Sequence, residues 1–217
     1  LDGDGSATDL IVATSNGAFL VTGGSPEAGD MKTATITPIS DTMGEITDFV
    51  VSDVNKDGAK DIVIVADNET PKAYLGDPTR PKDYSLTRYL DMSYQNQPLK
   101  SPTVSIDSYG NILFTTATIG NPCYYYEGDH LGTDSSVAVP ISETAPYSVT
   151  GGVITTIDSV AYMAFSTEQT KQTSAVTSGG LIVASQGSHP GNPLFTQYIT
   201  DTSGILTDKR VVDVQAM

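Results

Sequence analysis

The 217-residue chain contains no tryptophan, one cysteine and two histidines. The single cysteine, Cys123, excludes an internal disulfide, and the sequence has no CxxC motif or Cys/His cluster of the kind that binds zinc. Two histidines leave few candidates for general-base catalysis. The absence of tryptophan removes the commonest side chain for stacking on sugars.

Long apolar runs and positive charge are also scarce. No apolar run approaches the ~18–20 residues of a membrane span, so the sequence predicts no transmembrane segment. The chain does not open with a basic segment followed by an apolar one, as a secretion signal would. The 11 basic residues are outnumbered by 26 acidic ones, which gives a formal net charge of −15. Such a surface repels phosphate backbones, and nucleic acid is therefore not an expected partner.

The chain does contain enough apolar sequence for a folded core. Hydrophobic residues make up 38% of it and charged residues 17%, a balance that argues against wholesale disorder. Many of the acidic residues stand in short loops beside glycine. This placement favours cation binding over simple solvation.

The sequence repeats itself with a period of about 50 residues, which is typical of arrays of small structural units. The segment at 46–67, ITDFVVSDVNKDGAKDIVIVAD, resembles 1–14, and weaker copies occupy 101–117 and 151–167. A last copy, at 209–217, matches only the start of the unit. The approximate repeats are 1–45, 46–97, 98–148 and 149–205, and 206–217 opens the next one.

Each repeat holds four short runs rich in β-branched or aromatic residues, separated by Gly, Pro, Asp and Ser clusters, which is the pattern of strands and turns. We find no amphipathic helix. The pattern predicts an all-β fold, namely a β-propeller of four-stranded antiparallel blades with about four repeats present. A β-sandwich is the alternative. The chain is a single propeller domain that closes as a four-bladed ring, or a fragment of a larger propeller; we favour the fragment, because domains seldom start within an acidic loop.

The sharpest motif is the acidic loop of the second repeat, which has oxygen-bearing side chains at alternate positions and then a glycine, Gly58. Glycine tolerates the positive φ that a tight turn requires, so the preceding oxygens can converge on one ion. The spacing is similar to the first half of an EF-hand loop, and Ca²⁺ prefers six to eight hard oxygen ligands, whereas Mg²⁺ tolerates fewer protein ligands. The predicted ligands are the side chains of Asp53, Asn55, Asp57 and Asp61 and the backbone carbonyl of Ala59. The alternative is an ordinary Asp/Asn/Gly hairpin turn.

The other repeats carry weaker versions of this loop. In the first, Asp2, Asp4 and Gly5 match the third, fifth and sixth motif positions, and Asp9 falls one residue late, so calcium binding by Asp2, Asp4 and Asp9 stays open. In the third and fourth repeats the loop shrinks to 107–111 and to 158–159. These two loops retain too few oxygens for a metal and are expected to be plain turns.

The segment 46–77 resembles an FG-GAP or VCBS-type repeat, the calcium-loop blade of integrin α-subunit propellers and of many secreted proteins. The matching residues are Phe49, then Asp53, Asn55, Asp57, Gly58 and Asp61, then the apolar run 62–65 and the sequence AYLGD at 73–77. The resemblance is specific for this segment, fair for 1–24 and only architectural for 98–205. It implies a propeller, bound Ca²⁺ and an extracellular or cell-surface location. It implies no single activity, because such blades occur in adhesion proteins, in lectin-like modules and beside enzymes.

We therefore expect a non-catalytic, calcium-stabilised extracellular propeller that serves adhesion, recognition or surface assembly, with a protein or glycan partner. Further domains or blades of a longer chain are also possible partners. The alternatives are the propeller portion of a secreted carbohydrate-active enzyme, such as a polysaccharide lyase or hydrolase, and a lectin-like glycan binder. The run Tyr124-Tyr125-Tyr126 is compatible with ligand contact, but we favour packing between blades with one ring exposed, because neighbouring side chains on a strand face opposite sides.

Overall fold

The protein is described here from a computed structural model. The structure describes residues 10–15, 17–22, 34–40, 44–80, 89–128, 138–158, 160–168, 170–172, 175–177, 180–185 and 195–199. These residues form antiparallel strands joined by turns, with one 3₁₀ turn at Ser142–Thr144 and, within the described ranges, no α-helix. The prediction of an all-β protein is confirmed.

Most of the strands form sheets that follow one another along the chain. The first sheet contains β1 (Leu10–Thr14), β2 (Gly17–Thr22) and β3 (Thr35–Pro38). The second contains β4 (Ile46–Ser52), β5 (Asp61–Ala66), β6 (Lys72–Tyr74) and β7 (Tyr89–Asp91). The third contains β8 (Val104–Ile106), β9 (Ile112–Phe114), β10 (Cys123–Tyr126) and β11 (Val139–Ile141). The fourth contains β12 (Val149–Ile157), β13 (Val160–Thr167), β16 (Gly180–Ser185) and β17 (Phe195–Ile199).

Within each sheet the strands lie side by side in chain order, and neighbours are antiparallel. The first sheet has three strands among the described residues, whereas the other three have the four predicted per repeat. Two prolines, Pro38 and Pro140, lie in the edge strands β3 and β11. An edge strand needs hydrogen bonds on one side only, so a residue without an N–H is tolerated there.

An additional hairpin interrupts the fourth sheet. It consists of β14 (Thr170–Gln172) and β15 (Ala175–Thr177), and it lies between β13 and β16 in the chain. The sequence did not predict it, because its short strands lack the apolar runs that mark the others.

Among the described residues, three apolar cores lie between successive sheets. The first core joins Leu20 of the first sheet to Ile62 and Tyr74 of the second. The second core joins Val63 of the second sheet to residues of the third, and the third core joins the third sheet to Phe165 of the fourth. Every residue of β5 is buried, because alternate side chains enter the first and second cores on its two faces.

The three consecutive tyrosines show how one strand contributes to two cores. Tyr124 and Tyr126 pack in the second core, and Tyr125 packs in the third. The prediction that they pack between sheets is confirmed, but the expected exposed ring is wrong, since all three are buried. Their strand, β10, is an inner strand of the third sheet and is covered on both faces.

Candidate metal centre

The acidic loop of the second repeat connects β4 to β5. Two of its residues have left-handed backbone conformations, Lys56 with φ of 57° and Gly58 with φ of 92°. The positive φ at Gly58 is the one that the sequence predicts, and it costs glycine little because glycine has no Cβ. These two residues fold the chain back within eight positions, so that β5 pairs with β4 directly from Ser52 and Asp61 onward.

The side chains of Asp53 and Asn55 are brought together over one backbone amide. The N–H of Asp57 donates to Asp53 Oδ1 and to Asn55 Oδ1, each at 3.1 Å. The second oxygen of Asp53 accepts the N–H of Gly58 at 2.9 Å. The tight turn therefore gathers the oxygens that the sequence proposes as ligands.

Asp57 joins the same group from the exposed side of the loop. Its Oδ1 accepts the N–H of Ala59 at 2.8 Å, and its Oδ2 accepts the side-chain amide of Asn55 at 3.0 Å. Three predicted ligands, Asp53, Asn55 and Asp57, are thus linked by hydrogen bonds in one solvent-accessible loop. Carboxylate and amide oxygens of this kind are hard ligands and suit Ca²⁺.

Asp61 occupies a different environment, because it is the first residue of β5 and its side chain is fully buried. Its Oδ2 accepts the N–H groups of Val54 and Asn55 at 2.8 and 3.3 Å. Its Oδ1 accepts the N–H of Gly76, just after β6, at 2.8 Å. Asp61 therefore ties the start of the loop to the end of β6, a role that the motif alone does not indicate.

Burial dominates the electrostatics of Asp61. Removal from water raises the pKa of its carboxyl group, and the hydrogen bonds from Gly76, Val54 and Asn55 oppose that rise. The negative charge of Asp57 raises the pKa of Asp61 further, as a smaller effect. A cation beside these two carboxylates would offset both the burial and the repulsion.

The loop of the third repeat, between β8 and β9, makes an equivalent contact with a glycine but uses an asparagine in place of the buried aspartate. Asp107 Oδ1 accepts the N–H groups of Tyr109 and Asn111, each at 2.9 Å, so the turn is held by its own aspartate. Asn111 stands at the position of Asp61, and its Oδ1 accepts the N–H of Gly128 at 2.8 Å. A signal for this equivalence exists in the sequence, since a polar residue precedes the second strand and a glycine follows the third in both repeats.

Both glycines lie against the backbone of their loops. A Cβ on Gly76 would meet the carbonyl oxygen of Lys60, and one on Gly128 would meet the carbonyl oxygen of Tyr109. This close approach allows the N–H of each glycine to reach Asp61 or Asn111. Neither contact was predicted, because each depends on how the third strand ends relative to the loop.

Several predicted residues and properties are not tested by these contacts. Asp2, Asp4 and Asp9 lie outside the described residues, as do His130 and His189. Across the described ranges, no group of three or more His, Cys, Asp or Glu side chains has the arrangement of a metal site. Ligation by Asp53, Asn55, Asp57, Ala59 and Asp61 thus stays a prediction.

Cys123 is a buried, unpaired thiol in β10. Burial raises the pKa of this thiol to about 11, which leaves it protonated and unreactive at neutral pH.

The fold and the loop together define an all-β protein of successive antiparallel sheets with an Asp/Asn/Gly turn between β4 and β5. No family model matches the chain, and no curated protein matches it. Within the described ranges, none of the secondary structure is a helix long and apolar enough to cross a membrane.

Proposed function

We propose that this chain is a calcium-stabilised β-propeller, or part of one, that serves extracellular adhesion, recognition or surface assembly. The observation that carries the proposal is the β4–β5 loop, in which a tight turn gathers the oxygens of Asp53, Asn55 and Asp57. The resemblance of 46–77 to FG-GAP or VCBS-type repeats supports the same conclusion.

The arrangement of the sheets supports a propeller over a sandwich. Each sheet is contiguous in the chain, and each of three cores is shared by one sheet and the next. A sandwich has a single core between two sheets, with strands that cross from one sheet to the other. Successive sheets with a core at every junction are what stacked blades require.

The chemistry of the loop favours Ca²⁺ as the bound ion. The available ligands are carboxylate, amide and backbone oxygens, which suit the irregular coordination of Ca²⁺ better than the strict octahedron of Mg²⁺. With Ca²⁺ at one to ten times the dissociation constant, binding would stabilise the fold by roughly 0.4–1.4 kcal/mol per site. The bound ion would also offset part of the net negative charge of −15.

The loops at this end of the sheets provide a surface for recognition. Tyr109, at the tip of the β8–β9 loop, is 57% exposed. Loops held on a rigid sheet scaffold commonly carry binding function. The partner class is a protein or a glycan.

Thermal unfolding in added Ca²⁺ and in a calcium chelator, with Mg²⁺ held constant, tests the metal site. We expect Ca²⁺ to raise the midpoint of wild-type protein and to have little effect on Asp57→Asn, which keeps a side-chain oxygen for the N–H of Ala59 but removes the charge. Asp158→Asn is the matched control, because it removes the same charge from the exposed turn between β12 and β13. A wild-type midpoint indifferent to Ca²⁺ would leave the loop as an ordinary turn.

The recognition role is tested by glycan and protein-partner screens run in Ca²⁺ and again in chelator. We expect binding that Ca²⁺ strengthens and Asp57→Asn weakens, with the bound glycan or protein recovered unchanged. Recovery of a cleaved glycan would instead establish a carbohydrate-active enzyme and overturn the non-catalytic role.

A further inference from the structure

The β4–β5 loop contains the dipeptide Asp57-Gly58, and both of its residues are exposed. In an Asp-Gly pair the side-chain carbon Cγ of the aspartate and the backbone nitrogen of the glycine can close a five-membered ring. Glycine hinders this reaction least, because it has no Cβ to screen its nitrogen. Apart from the adjoining residues of the chain, no atom lies within 4 Å of the position that a Cβ of Gly58 would occupy. The reacting nitrogen is therefore open to approach.

The N–H proton of Gly58 is the main obstacle to ring closure. A peptide nitrogen is a poor nucleophile because its lone pair is delocalised into the carbonyl group, and loss of the proton restores its reactivity. Asp53 Oδ2 accepts this N–H at 2.9 Å, which is within the reach of a general base. The N–H bond lies in the peptide plane and the lone pair is perpendicular to it. Asp53 can thus take the proton without blocking the nitrogen.

The carboxyl group of Asp57 is held by two donors. The N–H of Ala59 donates to Oδ1 at 2.8 Å, and the side-chain amide of Asn55 donates to Oδ2 at 3.0 Å. Negative charge builds on these oxygens when the nitrogen adds to Cγ, and fixed donors stabilise such charge. The loop therefore places a base at the attacking atom and hydrogen-bond donors at the group under attack.

We propose that Asp57 and Gly58 form a cyclic imide spontaneously in the metal-free loop, with Asp53 as the general base, and that the imide opens to isoaspartate. The bond from Gly58 N to Asp57 Cγ forms, and the C–OH bond of the acid form of Asp57 breaks. The proton of the nitrogen passes to Asp53 Oδ2 and then to the departing hydroxyl group, which leaves as water.

One water molecule then opens the imide. Its addition to Cγ restores aspartate, whereas its addition to the former backbone carbonyl of Asp57 leaves the main chain running through the side chain. The isoaspartate product has the same mass, one more carbon atom in its backbone and a carboxylate attached directly to Cα. The original carboxyl group no longer accepts from Ala59 and Asn55. Isomerisation thus dismantles the group of oxygens in the loop without cleaving the chain.

The test ages the whole chain in chelator at physiological temperature and pH, beside a synthetic peptide of residues 50–63. An isolated hairpin of this length has little stable structure, so the peptide does not hold Asp53 on the N–H of Gly58. Isoaspartate at position 57 is located by fragmentation mass spectrometry, and by loss of cleavage with a protease that cuts before aspartate but not before isoaspartate. We expect conversion to be faster in the folded protein than in the peptide, because the fold positions the base.

Asp53→Asn separates the base from the geometry of the turn, since it keeps a side-chain oxygen but removes the carboxylate. In the protein it should slow conversion by at least about tenfold, and in the peptide it should have little effect. Asp57→Glu keeps the charge but would require a larger and less favourable ring, so it should abolish the signal. Asp158→Asn is the matched control, because it removes the same charge from another exposed turn and should leave the rate at Asp57 unchanged. Thermal midpoints above the incubation temperature show that each variant is folded.

Two results would overturn the proposal. Conversion that is no faster in the protein than in the peptide would mean that the fold does not promote the reaction. An equal effect of Asp53→Asn on protein and peptide would mean that Asp53 is not the base. Since every sample contains chelator, neither result depends on whether the loop binds Ca²⁺.

Discussion

Asp61 and Gly76 are joined by a buried hydrogen bond of 2.8 Å between the aspartate Oδ1 and the glycine N–H, and Asn111 and Gly128 repeat this bond at the same length in the next sheet. The two acceptors differ because their surroundings differ. The other oxygen of Asp61 faces the N–H donors of Val54 and Asn55, so a carboxylate is required. The side-chain amide of Asn111 instead donates to Asp107 Oδ2 at 2.8 Å.

Asp61→Asn should therefore destabilise the protein even though it removes a buried charge. The new asparagine would have an NH₂ group where Asp61 has one of its two oxygens. In either orientation this group would face backbone N–H donors, those of Val54 and Asn55 or that of Gly76. At least one buried donor would therefore lose its acceptor, at a cost of about 1–3 kcal/mol. Urea unfolding at neutral pH in chelator measures the change without a contribution from Ca²⁺. A variant as stable as wild type would show that the carboxylate is not needed for this contact.

The reciprocal change, Asn111→Asp, should also destabilise, but for an electrostatic reason. It would place a second carboxylate at hydrogen-bond distance from Asp107, and like charges this close cannot both ionise without cost. We expect a loss of about 1–3 kcal/mol at pH 7 that diminishes as the pH falls toward about 4, because the pair of carboxylates then shares one proton. Asn111→Ala is the control, since it removes the hydrogen bond to Asp107, together with the acceptor for the N–H of Gly128, without adding charge. Its loss of stability should not vary with pH in this way.

Gly76→Ala should destabilise through a steric clash with the backbone. The added Cβ would meet the carbonyl oxygen of Lys60, which cannot move without shifting the loop, and overpacking of this kind costs about 1–3 kcal/mol. Gly58→Ala is the comparison, because no atom lies within 4 Å of a Cβ built there and only its φ of 92° is unfavourable. Gly58→Asn should recover part of the loss of Gly58→Ala, since asparagine tolerates positive φ, whereas Gly76→Asn should be no better than Gly76→Ala. Thermal midpoints of the four variants check this order.

The stability of the protein should rise on mild acidification because of Asp48. Its carboxylate accepts the N–H of Val104 across the junction of the second and third sheets at 3.1 Å, and burial raises its pKa above the ordinary 3.8. A raised pKa in the folded state means that Asp48 contributes stability below pH 3.8, and that this contribution is lost as the pH rises through the raised value.

Asp77 acts in the opposite direction at lower pH. Hydrogen bonds from Thr79, with Arg80 nearby, lower its pKa to about 2, so its contribution is present above pH 3.8 and is lost as the pH falls toward 2. Urea unfolding in chelator between pH 7 and pH 2 should show both trends. Asp48→Asn should reduce the rise in stability on mild acidification without abolishing it, because burial also raises the pKa of Asp61, and it should leave the profile below pH 3.8 unchanged. If the pH dependence of the unfolding free energy above pH 3.8 is the same in Asp48→Asn as in wild type, the stabilisation by acid comes from other carboxyl groups.

The sequence by itself determined which segments of this protein are strands. The run DIVIVA of β5 is apolar, β-branched and bounded by turn residues, so it favours a strand regardless of what packs on it. The positive φ of Gly58 was equally predictable, because a turn after alternating Asp and Asn residues requires it. Local chemistry fixes such features, since their causes lie within a few residues.

Only the tertiary structure decided which side chains hold neighbouring segments together. The partner of Asp61 is fifteen residues away and that of Asp48 is fifty-six, and neither distance leaves a periodic trace in the sequence. Tyr125 is likewise buried because the fourth sheet packs against its face of the third sheet, and the sequence alone did not indicate that contact. The hairpin β14–β15 escaped prediction because its strands have three residues each, too few for a hydrophobic pattern to mark them. Local sequence therefore determines which segments are strands. The residues that these strands contact across the fold are decided only when the strands pair and the sheets pack together.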